Sequence, residues 1–185
     1  DFHRPGRSPV FAANGMCATS HPLAAATAVD ILKRGGNAAD AAVAAAVLLG
    51  LCEPQMTGLG GDAFILFRPA GEDRLVGING SGRAPRALSA DHLREQGCDA
   101  IPTRSAHAVT VPGAVSAFAL FLEDWGRLGL ADALAPAIRY AEEGIPVAPR
   151  VALDWGQFAQ NLQGAARTHF LFDGRAPEAG DPFRW

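Results

Sequence analysis

Apolar residues along the chain change their spacing twice, and those changes mark out the predicted elements. From Pro22 to Lys33 the pattern is helical, with Ala25, Ala28, Val29 and Leu32 on one face. Ser20 or His21 can cap this helix, and Pro22 fits its first turn, where a missing N–H costs nothing. Gly35-Gly36 ends it, as expected where the chain needs positive φ. Asn37 then caps a second helix, with Asp40 near its positive end. The run AADAAVAAAVLLGL is apolar almost all round, so this helix is expected to be buried on several sides. Glu53-Pro54 stops it.

Beyond that point the period shortens. Residues 63–68 and 75–78 form two compact apolar runs joined by a Gly-containing loop, the mark of a β-hairpin. Two further short strands are expected, over residues 15–19 and 106–111. Ser89 caps a short helix after the hairpin. The remainder is mainly helical, over about 114–125, 130–143 (with Pro136 inside) and 152–163. Residues 1–14, with Pro5, Gly6 and Pro9, read as an extended arm of a single domain spanning 1–185. Near-continuous apolar strands require cover on both faces and neighbours beside them. The chain supplies too few, so its sheet is expected to be completed by another chain or segment.

Composition adds little. At 185 residues, with 49% hydrophobic and 8% aromatic residues, the chain can bury a substantial core. The net charge of −3 and scattered arginines give no basis for nucleic-acid binding. Lys33 is the only lysine. Cys17, Cys52 and Cys98 form neither a disulfide framework nor a C-x-x-C site, and are expected as buried free thiols. The histidines lack metal-ligand spacing, so no metal is expected. The apolar run 41–52 is too short to span a membrane. The first residue is Asp1 rather than Met, which points to sequence upstream; the cytoplasm is the expected compartment, or the periplasm or exterior if a signal peptide has been removed.

Individual motifs resolve mostly to structure. GLGGD (58–62) has the glycines of a dinucleotide loop, but follows a helix and precedes a strand, the inverse of that fingerprint; a tight turn is expected. Thr168-His169 resembles a nucleophile beside a base, but adjacent residues rarely face each other usefully; Glu142-Glu143 is read as a solvated face, and Cys17 lacks a cation to activate it. INGSGRAP (78–85) leaves the second hairpin strand, and Ser81 is either a turn residue or part of a binding site.

Three stretches together resemble the large subunit of the γ-glutamyltranspeptidases. GMCATSHPLAAATAVDILKRGGNAADAAVAAAVLLGLCEPQMTGLGGDAFILF looks like its start, VTVPGAVSAFALFLEDWGRLGLADALAPAIRYAEEGIPVAPR like a later block, and FLFDGRAPEAGD like a further turn segment. The resemblance runs in one order from Gly15 to Asp181.

It implies an α+β fold, the four-layer αββα sandwich of the N-terminal nucleophile hydrolases. In that family a precursor cuts itself before a threonine, which becomes the nucleophile of a small subunit. This chain would be the N-terminal portion of the large subunit, with no catalytic residue of its own and the small subunit as its partner. The implied activity is cleavage of a γ-glutamyl or related small-molecule amide through an acyl-enzyme, with no metal or organic cofactor. The alternative is a non-catalytic relative that keeps the sandwich and binds a small acyl compound or a protein.

In typical members an arginine four residues before the proline of the Ala-Pro pair binds the substrate's α-carboxylate. Here that position holds Ser81, which cannot form a bidentate charged pair. Loss of such a pair costs on the order of 2–4 kcal/mol, which puts γ-glutamyl specificity in question rather than hydrolysis. The substrate-binding candidates are therefore Ser81, Asn79 and Arg83, with Arg83 able to stand in for the missing arginine.

Overall fold

The computed structural model describes residue 6 and residues 8–184. Of the expected arm over 1–14, residues 1–5 and 7 lie outside this range; the described part has no helix or strand and is exposed. The fold is α+β, in two compact units: the described residues up to Thr57 together with those from Gly126 onward, and Gly58–Trp125.

In the first unit, α1 (Pro22–Lys33) and α2 (Ala38–Cys52) form a helical pair, with α5 (Leu130–Glu143) against α2. His21 is the N-cap of α1, its Nδ1 accepting the Leu23 N–H at 3.2 Å, and Pro22 opens the first turn. Ser20 instead donates to Glu53 Oε2 at 2.7 Å. The buried face of α1 carries Ala24, Thr27, Ala28 and Ile31, one residue earlier than expected throughout, so that only Ala28 belongs to both faces. An alanine-rich helix has nearly equal faces, so the partner helix selects among them. Gly35 turns the chain at φ 96°.

Asn37 and Asp40 form a reciprocal capping box on α2. Asn37 Oδ1 accepts from Ala39 and Asp40, while Asp40 Oδ2 accepts the Asn37 N–H at 2.8 Å. Ten residues of α2 are buried, on more than one side as its composition requires.

The later part of this unit holds β3 (Ile145–Pro146), α6 (Pro149–Phe158), α7 (Ala165–Phe170) and β4 (Pro182–Phe183). Helix α6 starts three residues before the expected 152, because Pro149 supplies its first turn, and gives way to a 3₁₀ turn at Ala159–Asn161. Trp155 organises this region: it packs on Phe170 and Phe183 and donates Nε1–H to the Phe170 carbonyl at 2.9 Å. Asp173-Gly174 makes a two-residue reversal, with Phe172 and Arg175 exchanging backbone hydrogen bonds.

In the second unit, β1 (Ala63–Phe67) and β2 (Val76–Gly80) form the expected antiparallel hairpin, with Ala63 opposite Gly80 and Phe67 opposite Val76. Helix α4 (Ala114–Trp125) lies on one face, where Phe67 meets Phe121 and Trp125, each at 5.2 Å between ring centroids. The opposite face is open in this chain: Phe64 is 72% and Leu66 82% exposed. Helix α3 (Ala90–Glu95) is capped by Ser89 as expected.

Two expected strands are absent. Residues 15–19 pair with no strand among the described residues, and Cys17 is half-buried in irregular chain. Residues 106–111 begin instead with a 3₁₀ turn at Ala106–Ala108. Alternating apolar residues become a strand only where a neighbour offers its backbone groups; here Val111 finds one such bond, to Arg83.

Candidate functional site

The end of β2 and the loop leaving it carry the three candidates. Asn79 is exposed at the penultimate position of β2, opposite Phe64. Its Oδ1 accepts the Ser81 N–H at 2.9 Å, an Asx turn that swings the chain out of the sheet. Ser81 is exposed, and its hydroxyl has no hydrogen-bond partner among the described residues. Arg83 is exposed, and its guanidinium likewise has no ion pair there. The structure thus brings the three together, with Asn79 committed to the turn and the Ser81 hydroxyl and Arg83 guanidinium without partners among the described residues.

The loop's position depends on close backbone approach. A Cβ on Gly82 would stand 1.8 Å from the Val111 carbonyl oxygen, and one on Gly113 would stand 2.3 Å from that of Gly80. Only glycine fits at either place. Around these contacts the Val111 N–H donates to the Arg83 carbonyl at 2.9 Å, and the Gly113 and Ala114 N–H groups donate to the Gly61 carbonyl at 3.1 and 3.0 Å.

One residue here was not a sequence candidate. Asp62, the last residue of GLGGD, accepts the Gly82 N–H at 2.8 Å and the Thr110 hydroxyl at 3.1 Å, both on Oδ1. The turn expected for GLGGD is therefore also the anchor of the loop 20 residues later. The motif's unusual place between helix and strand was the available signal.

The other groups weighed in the sequence lie elsewhere. Thr168 and His169 are exposed neighbours on α7. Glu143 pairs with Arg139 at 4.0 Å at the end of α5. Cys52 is buried, and burial, helped by Glu53, pushes its thiol up to about 12, so it is no nucleophile near neutral pH. Cys17 and Cys98 are half-buried rather than buried, contrary to expectation, and all three thiols are free. Among the described residues no group of three or more His, Cys, Asp or Glu side chains could hold a metal ion. None of the described helices is long and apolar enough to cross a membrane.

Residues 24–185 match the family model of gamma-glutamyltranspeptidase. The chain belongs to the γ-glutamyltranspeptidase family. Within that family it is 39% identical over 174 residues to the glutathione hydrolase-like YwrD proenzyme of Bacillus subtilis, covering 91% of this chain and 32% of that one. Its structure is similar to cephalosporin acylase from Bacillus halodurans, with TM-score 0.83 and 40% identity over 98% of this chain and 37% of the other. It is also similar to Helicobacter pylori gamma-glutamyltranspeptidase, with TM-score 0.86 and 27% identity over 96% of this chain and 52% of that one. The chain spans about a third of the length of the curated relative from B. subtilis.

Proposed function

We propose that this chain is the N-terminal portion of the large subunit of an N-terminal nucleophile amidohydrolase or acyltransferase. The observation that carries the proposal is its membership, over residues 24–185, of a family whose similar members include a glutathione hydrolase-like proenzyme and a cephalosporin acylase. The nucleophile is a threonine at the amino terminus of a small subunit released from the same precursor. Its amine takes the proton of its own hydroxyl, the hydroxyl oxygen attacks the substrate amide carbonyl, and the amine product leaves with a proton. Water or a second amine then releases the acyl group.

The rest of the protein completes a four-layer αββα sandwich around the β1–β2 hairpin. The exposed Phe64 and Leu66 support this, because two large apolar side chains side by side on a strand favour cover by further chain.

Residues 79–83 form one wall of the acyl pocket. Asn79 shapes the turn, while the Ser81 hydroxyl and Arg83 guanidinium face the acyl group. A serine hydroxyl where typical γ-glutamyltranspeptidases carry an arginine favours an acyl group other than γ-glutamyl; Arg83 is the one residue of 79–83 that could still pair with a carboxylate.

Two measurements test the proposal. Denaturing intact mass and N-terminal sequencing of the full-length protein should find two chains, the second beginning with threonine. A single uncut chain would favour the non-catalytic, binding reading. Turnover of γ-glutamyl-, glutaryl- and acetyl-p-nitroanilide should then rank the acyl groups, and Ser81→Arg should move the ranking toward γ-glutamyl. An unchanged ranking would remove Ser81 from the pocket.

A further inference from the structure

We infer that Asp62 is a positioning residue for the acyl-binding loop: through one carboxylate oxygen it fixes Gly82, and so sets where Ser81 and Arg83 stand. The inference rests on the proposed reading of residues 79–83 as a pocket wall.

Three observations carry it. The first is that Asp62 Oδ1 takes two donors from separate segments, the Gly82 N–H at 2.8 Å and the Thr110 hydroxyl at 3.1 Å. The second is that the neighbouring Gly61 carbonyl takes the Gly113 and Ala114 N–H groups, where α4 begins. The turn 61–62 therefore grips both the loop and the segment leading into α4. The third is that Gly82 stands between the two free side chains and has no side chain of its own to hold it. Its place is set by the Asp62 hydrogen bond and by its contact with the Val111 carbonyl.

The remaining roles for Asp62 are distinguishable from this one. Among the described residues it forms no salt bridge. Both of its hydrogen bonds fall on a single acceptor oxygen, which an asparagine carbonyl can replace at nearly the same point without a charge. A proton-transfer role, or attraction of a cationic substrate, needs the carboxylate itself.

The test uses the full-length protein and whichever of the three anilides above turns over fastest. Asp62→Ala should raise KM about ten- to a hundredfold, as expected for loss of a hydrogen bond to a charged group, with kcat changed by less than about threefold. Asp62→Asn should recover most of that loss, and Thr110→Val should raise KM a few-fold. Hydrogen exchange at the Gly82 amide should accelerate in Asp62→Ala and stay slow in Asp62→Asn. If Asp62→Asn is as impaired as Asp62→Ala, the charge matters rather than the oxygen, and the inference is wrong. It is equally wrong if KM is unchanged in Asp62→Ala, or in Thr110→Val should the alanine variant not accumulate. Ser81→Ala and Arg83→Ala run alongside: if they raise KM while Asp62→Ala does not, only the positioning role falls. If neither affects KM, or no anilide is turned over, the pocket-wall reading falls and takes the inference with it.

Discussion

Asp40 Oδ1 and Oδ2 accept the Arg127 backbone N–H at 3.1 and 3.0 Å, joining the first turn of α2 to a loop 87 residues further along. Leu128 N–H adds a third bond to Oδ1 at 3.0 Å, and the Asn37 N–H a fourth to Oδ2. The carboxylate is fully buried, has no cationic partner among the described residues, and has its charge compensated by aligned backbone donors. Burial would by itself push this carboxyl up. Hydrogen bonds from Asn37, Leu128, Arg127 and Gly129 outweigh that and hold it below its ordinary value.

Asp40→Asn should therefore destabilise the protein by about 2–4 kcal/mol, since an amide turns a donor toward N–H groups that need an acceptor. A group with a lowered folded pKa contributes its stability above its unfolded pKa, about 3.9, and loses it as pH falls through the folded value. The gap in urea midpoint between wild type and Asp40→Asn should thus be constant from pH 8 to 5 and close below about pH 4. A gap that is already closing at pH 6 would assign it to another group.

His21 should act in a higher pH window. Burial holds its imidazole below the ordinary value, with Glu53 opposing. Its Nδ1 must stay unprotonated to accept the Leu23 N–H. As pH falls below about 6.5 the unfolded chain takes up a proton that the folded state resists, so stability drops until the folded pKa is reached. His21→Asn keeps a good cap and cannot titrate. Its urea midpoint should fall less than that of the wild type between pH 7 and 5; parallel curves would contradict this.

Steric room separates the glycines of the site. Gly82→Ala puts a methyl group against the Val111 carbonyl, whereas a Cβ at Gly60 meets nothing within 4 Å. Gly82→Ala should lower kcat/KM at least about tenfold, and Gly60→Ala should be near wild type, as read on the fastest anilide. Equal behaviour of the two would mean that the 80–83 backbone relaxes freely.

Cys52 should be silent toward thiol reagents in the folded protein. With its thiol pushed up to about 12, the thiolate fraction at pH 8.5 is smaller by roughly a thousandfold than for an ordinary cysteine. Peptide mapping after alkylation should find it modified only when urea is present. Labelling under native conditions would show that α2 opens locally.

The exposed strand face makes a prediction that depends on context. Phe64→Ser with Leu66→Ser should raise the solubility of the isolated 185-residue chain, where both side chains face water. In the full-length protein the same pair should reduce soluble yield, because further chain has lost its apolar contact. Improvement in both would mean that nothing covers the face.

Much of this was legible in the sequence wherever the governing interaction spans about four residues. Asn37 and Asp40 mark the start of α2, Pro22 and Gly35 bound α1, Ser89 caps α3, and two apolar runs around a Gly-containing loop make a hairpin. Each follows from hydrogen-bonding capacity or backbone freedom that a residue carries with it. Family membership was legible too, in the order of GGNAADA, GGDAF and PAIRYAEEGIPV.

Tertiary structure decided what depends on distant neighbours. It chose the Ala24–Ala28–Ile31 face of α1 over the adjacent one, and left residues 15–19 and 106–111 without strand partners among the described residues. It also turned two ordinary carboxylates into anchors, Asp40 for the loop at 127–128 and Asp62 for Gly82. A carboxylate's capacity to accept hydrogen bonds is written in the sequence. Which N–H groups lie within 3 Å of it depends on chain closure over tens of residues, and no local pattern records that.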